Sequence, residues 1–274
     1  MELVHAVTYF AEESITAARA SGLRGFWMGY FGFRAAPLGE VDAHDVGEAF
    51  YNFAPSMVER AVPDAWRFAT PAALLEARAG SAARALRRLS APAEKLAANV
   101  HDVLHDAIRR PPSSMESSLF EANRALPRRA DPVEELWQQC TTLREHRGDG
   151  HVAALRDYRI DGCEAHILFA ADRGVDESVL RDSRGWSPEI WLTSAAGLTT
   201  RGLLDAKGAL TPQGLAVRRG VEAKTDSVAA AAWATAPSST VADLIQEFEA
   251  IARTIAVEGP IPFPNPMGLP QPVF

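Results

Sequence analysis

Apolar residues recur at helical spacing over most of this chain. The pattern predicts helices over 8–20, 43–60, 70–89, 93–110 and 117–126. Gly22 closes the first, and Thr70 followed by Pro71 opens the third as cap and first helical residue. Pro111-Pro112-Ser113-Ser114 and Pro127 break the pattern. Further helices are predicted over 133–146, 151–158, 163–171, 175–182, 188–200, 215–231 and 241–256, the first capped by Asp131. Arg147-Gly148-Asp149-Gly150 is expected to interrupt the chain, with Asp149 capping a new helix at His151.

The stretch after Gly185-Trp186 has the outline of a winged helix. Ser187-Pro188-Glu189 starts a helix, Gly202 ends it, and Asp205-Ala206-Lys207-Gly208 supplies a turn. Ala209-Leu210-Thr211 reads as a short strand, and Pro212 opens the next helix. The predicted fold is mainly α: a helical N-terminal half, and a C-terminal winged helix with a small β-wing. Residues 1–130 are assigned to a helical domain that forms one half of a ligand pocket, 131–256 to the winged-helix-like domain, and 257–274 to a Pro-rich extended tail. Two intertwined halves fit the same pattern. The tail is apolar and is expected to dock on its own subunit or a partner.

Composition narrows the function classes. With 274 residues, 47% hydrophobic and 23% charged, the chain reads as a globular protein of one large or two ordinary domains. No apolar run reaches the length of a membrane span, and the start lacks a signal peptide's basic and apolar pattern, so a cytoplasmic protein is expected. Cys140 and Cys163 read as buried reduced thiols. The formal net charge is -7. Residues 1–130 balance fifteen basic against fifteen acidic side chains, whereas 131–274 hold thirteen against twenty. The excess acid therefore lies in the half that resembles a DNA-binding module. Because affinity for DNA rests on neutralising phosphates, DNA is disfavoured as a partner unless the basic residues converge on one face.

Three segments carry candidate chemistry. Residues 25–39 interleave Phe26, Trp27, Tyr30, Phe31 and Phe33 with glycines and Arg34. Rings build a ligand wall, glycines permit close approach, and an arginine among rings binds a carboxylate or stacks. Asn52 adds a polar tip. The second segment gathers Glu145, His146, Arg147, Asp149, His151, Glu164 and His166. A histidine beside a carboxylate serves as a general base. The spacing matches no strong metal motif, and no metal is assigned. The same residues also read as caps and ion pairs, with Glu222 and Asp226 bridged to Arg184 or Arg147. His101 and His105 share one helix face and read as solvated. In the third segment, the helix over 188–200 holds no Lys or Arg. A DNA-reading surface would need Arg181, Arg184, Thr199, Arg201 and Lys207 to converge.

Phe26-Trp27-Met28-Gly29-Tyr30, Arg34-Ala35-Ala36-Pro37-Leu38-Gly39, Phe50-Tyr51-Asn52-Phe53, the run from Leu143 to His151, Arg184-Gly185-Trp186 and Glu222-x-x-Thr225-Asp226 together resemble one group of actinobacterial proteins labelled helix-turn-helix. The resemblance covers roughly residues 5–255, and its label implies DNA binding and transcription regulation. At fold level the C-terminal half is similar to the winged helices of multiple-antibiotic-resistance-type regulators. The leading reading is a small-molecule-binding protein, ligand-sensing or sequestering and forming a homodimer, with a pocket between its halves lined by Trp27, Tyr30, Arg34, Asn52, Arg147, Asp149, His151 and Glu164. One alternative is a ligand-responsive DNA-binding regulator. Another is an acid–base enzyme of specialised metabolism using His151. No cofactor or catalytic residue is assigned.

Overall fold

Caps written into the sequence open most of the long helices. In the computed structural model, which describes residues 1–90, 92–112, 119–263 and 265, all regular secondary structure among the described residues is helical. In chain order these are α1 (Glu2–Phe10), α2 (Glu12–Ala20), α3 (Gly25–Ala35), α4 (Ala43–Ala49), α5 (Pro55–Glu59), α6 (Asp64–Phe68), α7 (Pro71–Leu89) and α8 (Ala93–Arg109). They continue with α9 (Leu119–Arg124), α10 (Pro132–Asp157), α11 (Gly162–Arg173), α12 (Glu177–Arg184), α13 (Pro188–Thr200), α14 (Pro212–Ala231) and α15 (Ser238–Glu258). Thr70 accepts the Ala73 amide at the start of α7, and Asp131 accepts the Val133 and Glu134 amides at the start of α10. Asp161 and Glu164 form a reciprocal capping box on α11, and Ser187 caps α13 ahead of Pro188.

The chain forms two units. The first comprises Met1–Val41, Ala61–His146 and Ala229–Phe274. Its core joins Val4 and Val7 of α1, Ala82 and Leu86 of α7, Leu96, Val100 and Leu104 of α8, Leu136 and Trp137 of α10, and Ile251 and Ile255 of α15. α3 is helical despite its glycines because packing requires them. A Cβ at Gly29 would stand 3.1 Å from the Ala18 Cβ, and one at Gly32 would stand 3.2 Å from Leu23 Cδ1. After α15, Ile261 is buried in this core and Phe263 packs on it. The rest of the expected tail, residues 264 and 266–274, lies outside the described residues.

The second unit comprises Asp42–Arg60 and Arg147–Val228. Leu155, Ile160, Ile167, Leu168, Leu180, Trp191, Leu198, Leu203 and Val221 form its core. α12 and α13 are joined by Gly185, Trp186 and Ser187, a three-residue, glycine-bearing link of the length that joins the helices of a helix-turn-helix. Gly185 is left-handed at φ 74°, and a Cβ there would stand 2.9 Å from the Met57 side chain, so turn geometry and packing both demand glycine.

The stretches 8–20 and 43–60, each expected as one helix, are divided between α1 and α2 and between α4 and α5, and two further expectations are overturned. First, there is no β-wing and no strand among the described residues: the fold is all-α, and the wing is reduced to one antiparallel bridge between Leu204 and Leu210. The Asp205 carboxylate accepts the amides of Lys207 and Ala209 and closes a tight turn. Gly202, at φ 72°, bounds the ladder on one side. Pro212, which lacks an N–H, bounds it on the other, so no room remains for strands. Second, Arg147-Gly148-Asp149-Gly150 does not interrupt the helix, because α10 runs through it and Asp149 is an interior residue. A Cβ at Gly150 would lie 2.6 Å from Val228 Cγ1, so this glycine serves close packing rather than a break.

Candidate functional site

On α3, positions 26, 29, 30 and 33 share one face. With Thr8 and Tyr9 of α1, and Ser14, Ile15, Ala18 and Arg19 of α2, this face lines a cavity of about 150 Å³ within the first unit. Gly29 leaves the space that a side chain would fill. Thr8 is 9% exposed, and its Oγ1 is buried without a hydrogen-bond partner. A helical threonine ordinarily bonds the carbonyl one turn back. An orphaned buried hydroxyl carries a desolvation penalty that a ligand's polar atom would remove.

Behind the cavity lies a polar network. The Tyr9 and Tyr30 rings are 4.8 Å apart. His5 Nε2 lies 3.0 Å from the Tyr9 hydroxyl, and His5 Nδ1 lies 3.0 Å from Thr141 Oγ1. Arg34 donates to the Tyr30 hydroxyl at 3.1 Å and grips both oxygens of Glu145. Arg144 bonds Glu145 as well, at 2.9 Å. Burial opposes ionisation of Glu145, but the Arg144 and Arg34 charges outweigh it and hold the carboxyl well below its usual range. Burial drives His5 well below its ordinary value, so the ring is neutral, and burial raises the Tyr9 hydroxyl. Of the predicted ligand residues in this unit, Tyr30 lines the cavity. Arg34 braces it from behind, and Trp27 packs edge-on against Phe26 and Tyr30 outside the lining.

Sequence reading missed Thr8, Ser14, Arg19 and Arg78. Arg78 is 2% exposed, and among the described residues it has no carboxylate partner. It donates to the Phe33 carbonyl, Asn123 and Gln138, and it lies 5.3 Å over the Trp137 ring. Burial pushes its pKa down to about 10. Nothing in the pattern of α7 separates Arg78 from its surface arginines, apart from its place on the apolar stripe with Leu74, Ala82 and Ala85.

Asn52, Arg147, Asp149, His151 and Glu164 lie in the second unit. Arg147 reaches Glu222 and Asp226, each at 3.3 Å, one of the two partners expected for those carboxylates, rather than the Glu164 that it was also expected to pair with. The Thr225 hydroxyl donates to the Val221 carbonyl and lies 3.0 Å from His151 Nδ1, so that nitrogen carries the ring proton. Burial lowers the His151 pKa, with the Glu222 charge opposing. Glu164 is taken by Arg201 and by the Asp161 amide. The Asn52 carbonyl accepts from Trp186 and lies 3.2 Å from His166 Nε2. Burial lowers the His166 pKa to about 3. His151 is thus oriented by a hydroxyl, and Glu164 serves a cap and an ion pair.

The helix-turn-helix exposes Glu189, Ile190, Leu192, Thr193, Ala196, Thr199 and Thr200 along α13. Thr193, Thr199 and Thr200 donate their hydroxyl hydrogens to carbonyls of their own helix. Arg181 bonds Asp182, the Arg184 guanidinium stacks 4.5 Å over Phe53, and Arg201 is held by Glu164 and the Arg159 carbonyl. Lys207 is exposed on the turn before Leu210. The second unit carries twelve Lys and Arg against sixteen Asp and Glu, so its cations are outnumbered as well as locally paired.

Elsewhere, His101 and His105 stack at 6.2 Å, and His101 is engaged by Arg128 and Gln139. Among the described residues, no three His, Cys, Asp or Glu side chains are grouped to hold a metal. Burial pushes Cys140 up to about 12 and Cys163 up to about 11, so both are inert thiols. A wider groove along α8 and α15, lined by Lys95, Asp243 and Glu247, contains no orphaned buried polar atom. Among the described residues, no helix is long and apolar enough to cross a membrane.

No curated protein and no solved structure matches the chain. One family model does, over residues 1–262, and its span takes in the α1–α3 cavity as well as the α12–α13 turn. The chain therefore belongs to a helix-turn-helix family.

Proposed function

We propose that this protein is a small-molecule-binding member of its family, with the ligand seated in the cavity formed by α1, α2 and α3. The observation that carries this reading is the orphaned Thr8 hydroxyl, nine-tenths buried and lining an aromatic-walled space. Native mass spectrometry of the protein purified from its own cells tests it. A retained organic molecule that is lost on Thr8→Val or Phe26→Ala supports the reading. Retention unaffected by either substitution would place the ligand elsewhere. The same spectrum counts subunits, and a homodimer is the expected state.

Family membership and the α12–Gly185–α13 turn favour a second reading, a DNA-binding regulator that responds to the ligand. A gel shift at low salt tests it, since phosphate-driven binding weakens steeply as salt rises. The local pairing of Arg181 and Arg201 and the self-bonded threonines of α13 weigh against it.

A further inference from the structure

The cavity is electrostatically one-sided. Arg19 is the charged residue in its lining, it is exposed at the end of α2, and no ion-pair partner stands beside it among the described residues. A turn of four residues, containing left-handed Gly22, leads from α2 to the first residues of α3, Gly25 and Phe26, which also line the space. The start of α3 has no side-chain cap and no acidic residue in its first turn. The positive end of the helix dipole therefore lacks the acidic side chain that such a terminus favours. Behind the opposite wall, Arg78 donates to the carbonyl of Phe33, a lining residue; among the described residues its guanidinium forms no ion pair, and the nearby Glu145 charge is shared with Arg34 and Arg144. Arg34 and Arg144 share Glu145, and Arg144 also approaches Glu2 at 3.6 Å. Three arginines thus face two carboxylates around the floor, which leaves the site with an excess of positive charge.

The walls set the rest of the ligand. Tyr9, Phe26, Tyr30 and Phe33 present rings, and Ile15 and Ala18 present aliphatic surface. A space of this size holds about one benzene-sized body. Thr8 adds one orphaned hydroxyl, able both to donate and to accept.

We infer that the occupant is a small aromatic carboxylate. Its ring lies among Phe26, Tyr30 and Ile15, its carboxylate sits at the Arg19 and α3 end, and the Thr8 hydroxyl bonds a polar atom of the ligand. This rests on the reading of the cavity as a ligand site and specifies the charge and shape of what fills it.

The test is isothermal titration of the full-length protein at low salt with benzoate and with two neutral counterparts of similar shape, benzamide and benzyl alcohol. Benzoate is expected to bind about tenfold more tightly than either neutral ring, in the range of a charge-assisted contact. Arg19→Gln should remove most of that preference while leaving the neutral rings unchanged. Thr8→Val should weaken benzoate by about fivefold, the loss of one hydrogen bond. Phe26→Ala should weaken all three probes. Thermal melts of each variant check that the fold is retained.

Equal binding of benzoate and benzamide, both sensitive to Phe26→Ala, would overturn the anionic ligand and leave the cavity as a site for a neutral ring. Benzoate binding indifferent to both Arg19→Gln and Phe26→Ala would overturn it too, because the carboxylate would then sit elsewhere. If none of the three probes binds up to about 10 mM, the single-ring ligand fails and the cavity's role as a ligand site fails with it.

Discussion

Glu145 holds Arg34 through two parallel hydrogen bonds of 2.9 Å, with the carboxylate side chain 1% exposed. The same carboxylate also accepts from Arg144. A charge buried this deeply is stable only because both cations are present. Glu145→Gln keeps the shape but leaves Arg34 and Arg144 sharing no anion. Loss of about 3–5 kcal/mol is expected, read as a lower urea midpoint at unchanged slope. A midpoint within experimental error of the parent would mean that the network does not hold the first unit together.

The pH dependence of stability follows from the buried histidines. His166 has a pKa of about 3 in the folded chain against an ordinary 6.5, and burial also lowers His5, His146 and His151. Below pH 6.5 the unfolded chain binds protons that the folded chain refuses. Stability is therefore complete above that pH and falls as pH drops toward the folded values. At pH 5, His166 alone contributes a loss of about 2 kcal/mol relative to neutral pH. Chemical denaturation at pH 7.5 and pH 5 should show this fall, and His166→Gln should flatten it. Glu145 acts in a lower window: its depressed pKa stabilises above the ordinary carboxyl range and is lost only as pH falls through it.

Much of the helical framework was legible because caps and apolar spacing are local. Thr70, Asp131 and Ser187 start helices where their side chains predict. The errors came where tertiary contacts overrode local preference. Gly148 and Gly150 read as a break, yet α10 continues because Val228 packs on the bare Gly150 backbone. Asp205 and Lys207 read as the tip of a β-wing, yet Gly202 and Pro212 stand too close together for strands. The aromatic setting of Tyr30 marked it as a wall residue, and it lines the cavity; Thr8 lines the same cavity but gave no such signal. A threonine in an apolar helix becomes informative only when its hydroxyl is seen to lack a partner.

Gly150 supplies a direct test of that override. In an exposed helix interior, Gly→Ala stabilises by roughly 1 kcal/mol. Here the added methyl would lie 2.6 Å from Val228 Cγ1 and 2.9 Å from its Cβ, closer than the neighbouring helix can accept without moving. Gly150→Ala is therefore expected to destabilise by about 1–3 kcal/mol. Val228→Ala in the same chain should recover most of the loss. A stabilised single variant, or failure of the double variant to recover, would mean that close approach is not what keeps α10 continuous through residue 150.

The last prediction concerns the helix-turn-helix itself. Duplex affinity scales with the number of phosphates that cations neutralise, and α13 contributes none of its own. Its flanking Arg201 is tied to Glu164 by two contacts of 2.9 Å and to the Arg159 carbonyl by a third. The α13 threonines have committed their hydrogens to Glu189, Ala195 and Ala196. Any duplex complex should therefore be weak even at low salt and undetectable by about 0.15 M, with a shallow slope equivalent to one or two phosphates. Arg201→Ala should lower the melting temperature, because it strips the partner from a buried Glu164, while leaving that slope unchanged. A complex that survives at about 0.15 M salt, or a slope that falls by about one on Arg201→Ala, would show that Arg201 leaves Glu164 for phosphate. That outcome would return the turn to a DNA-gripping role despite the acidity of its unit.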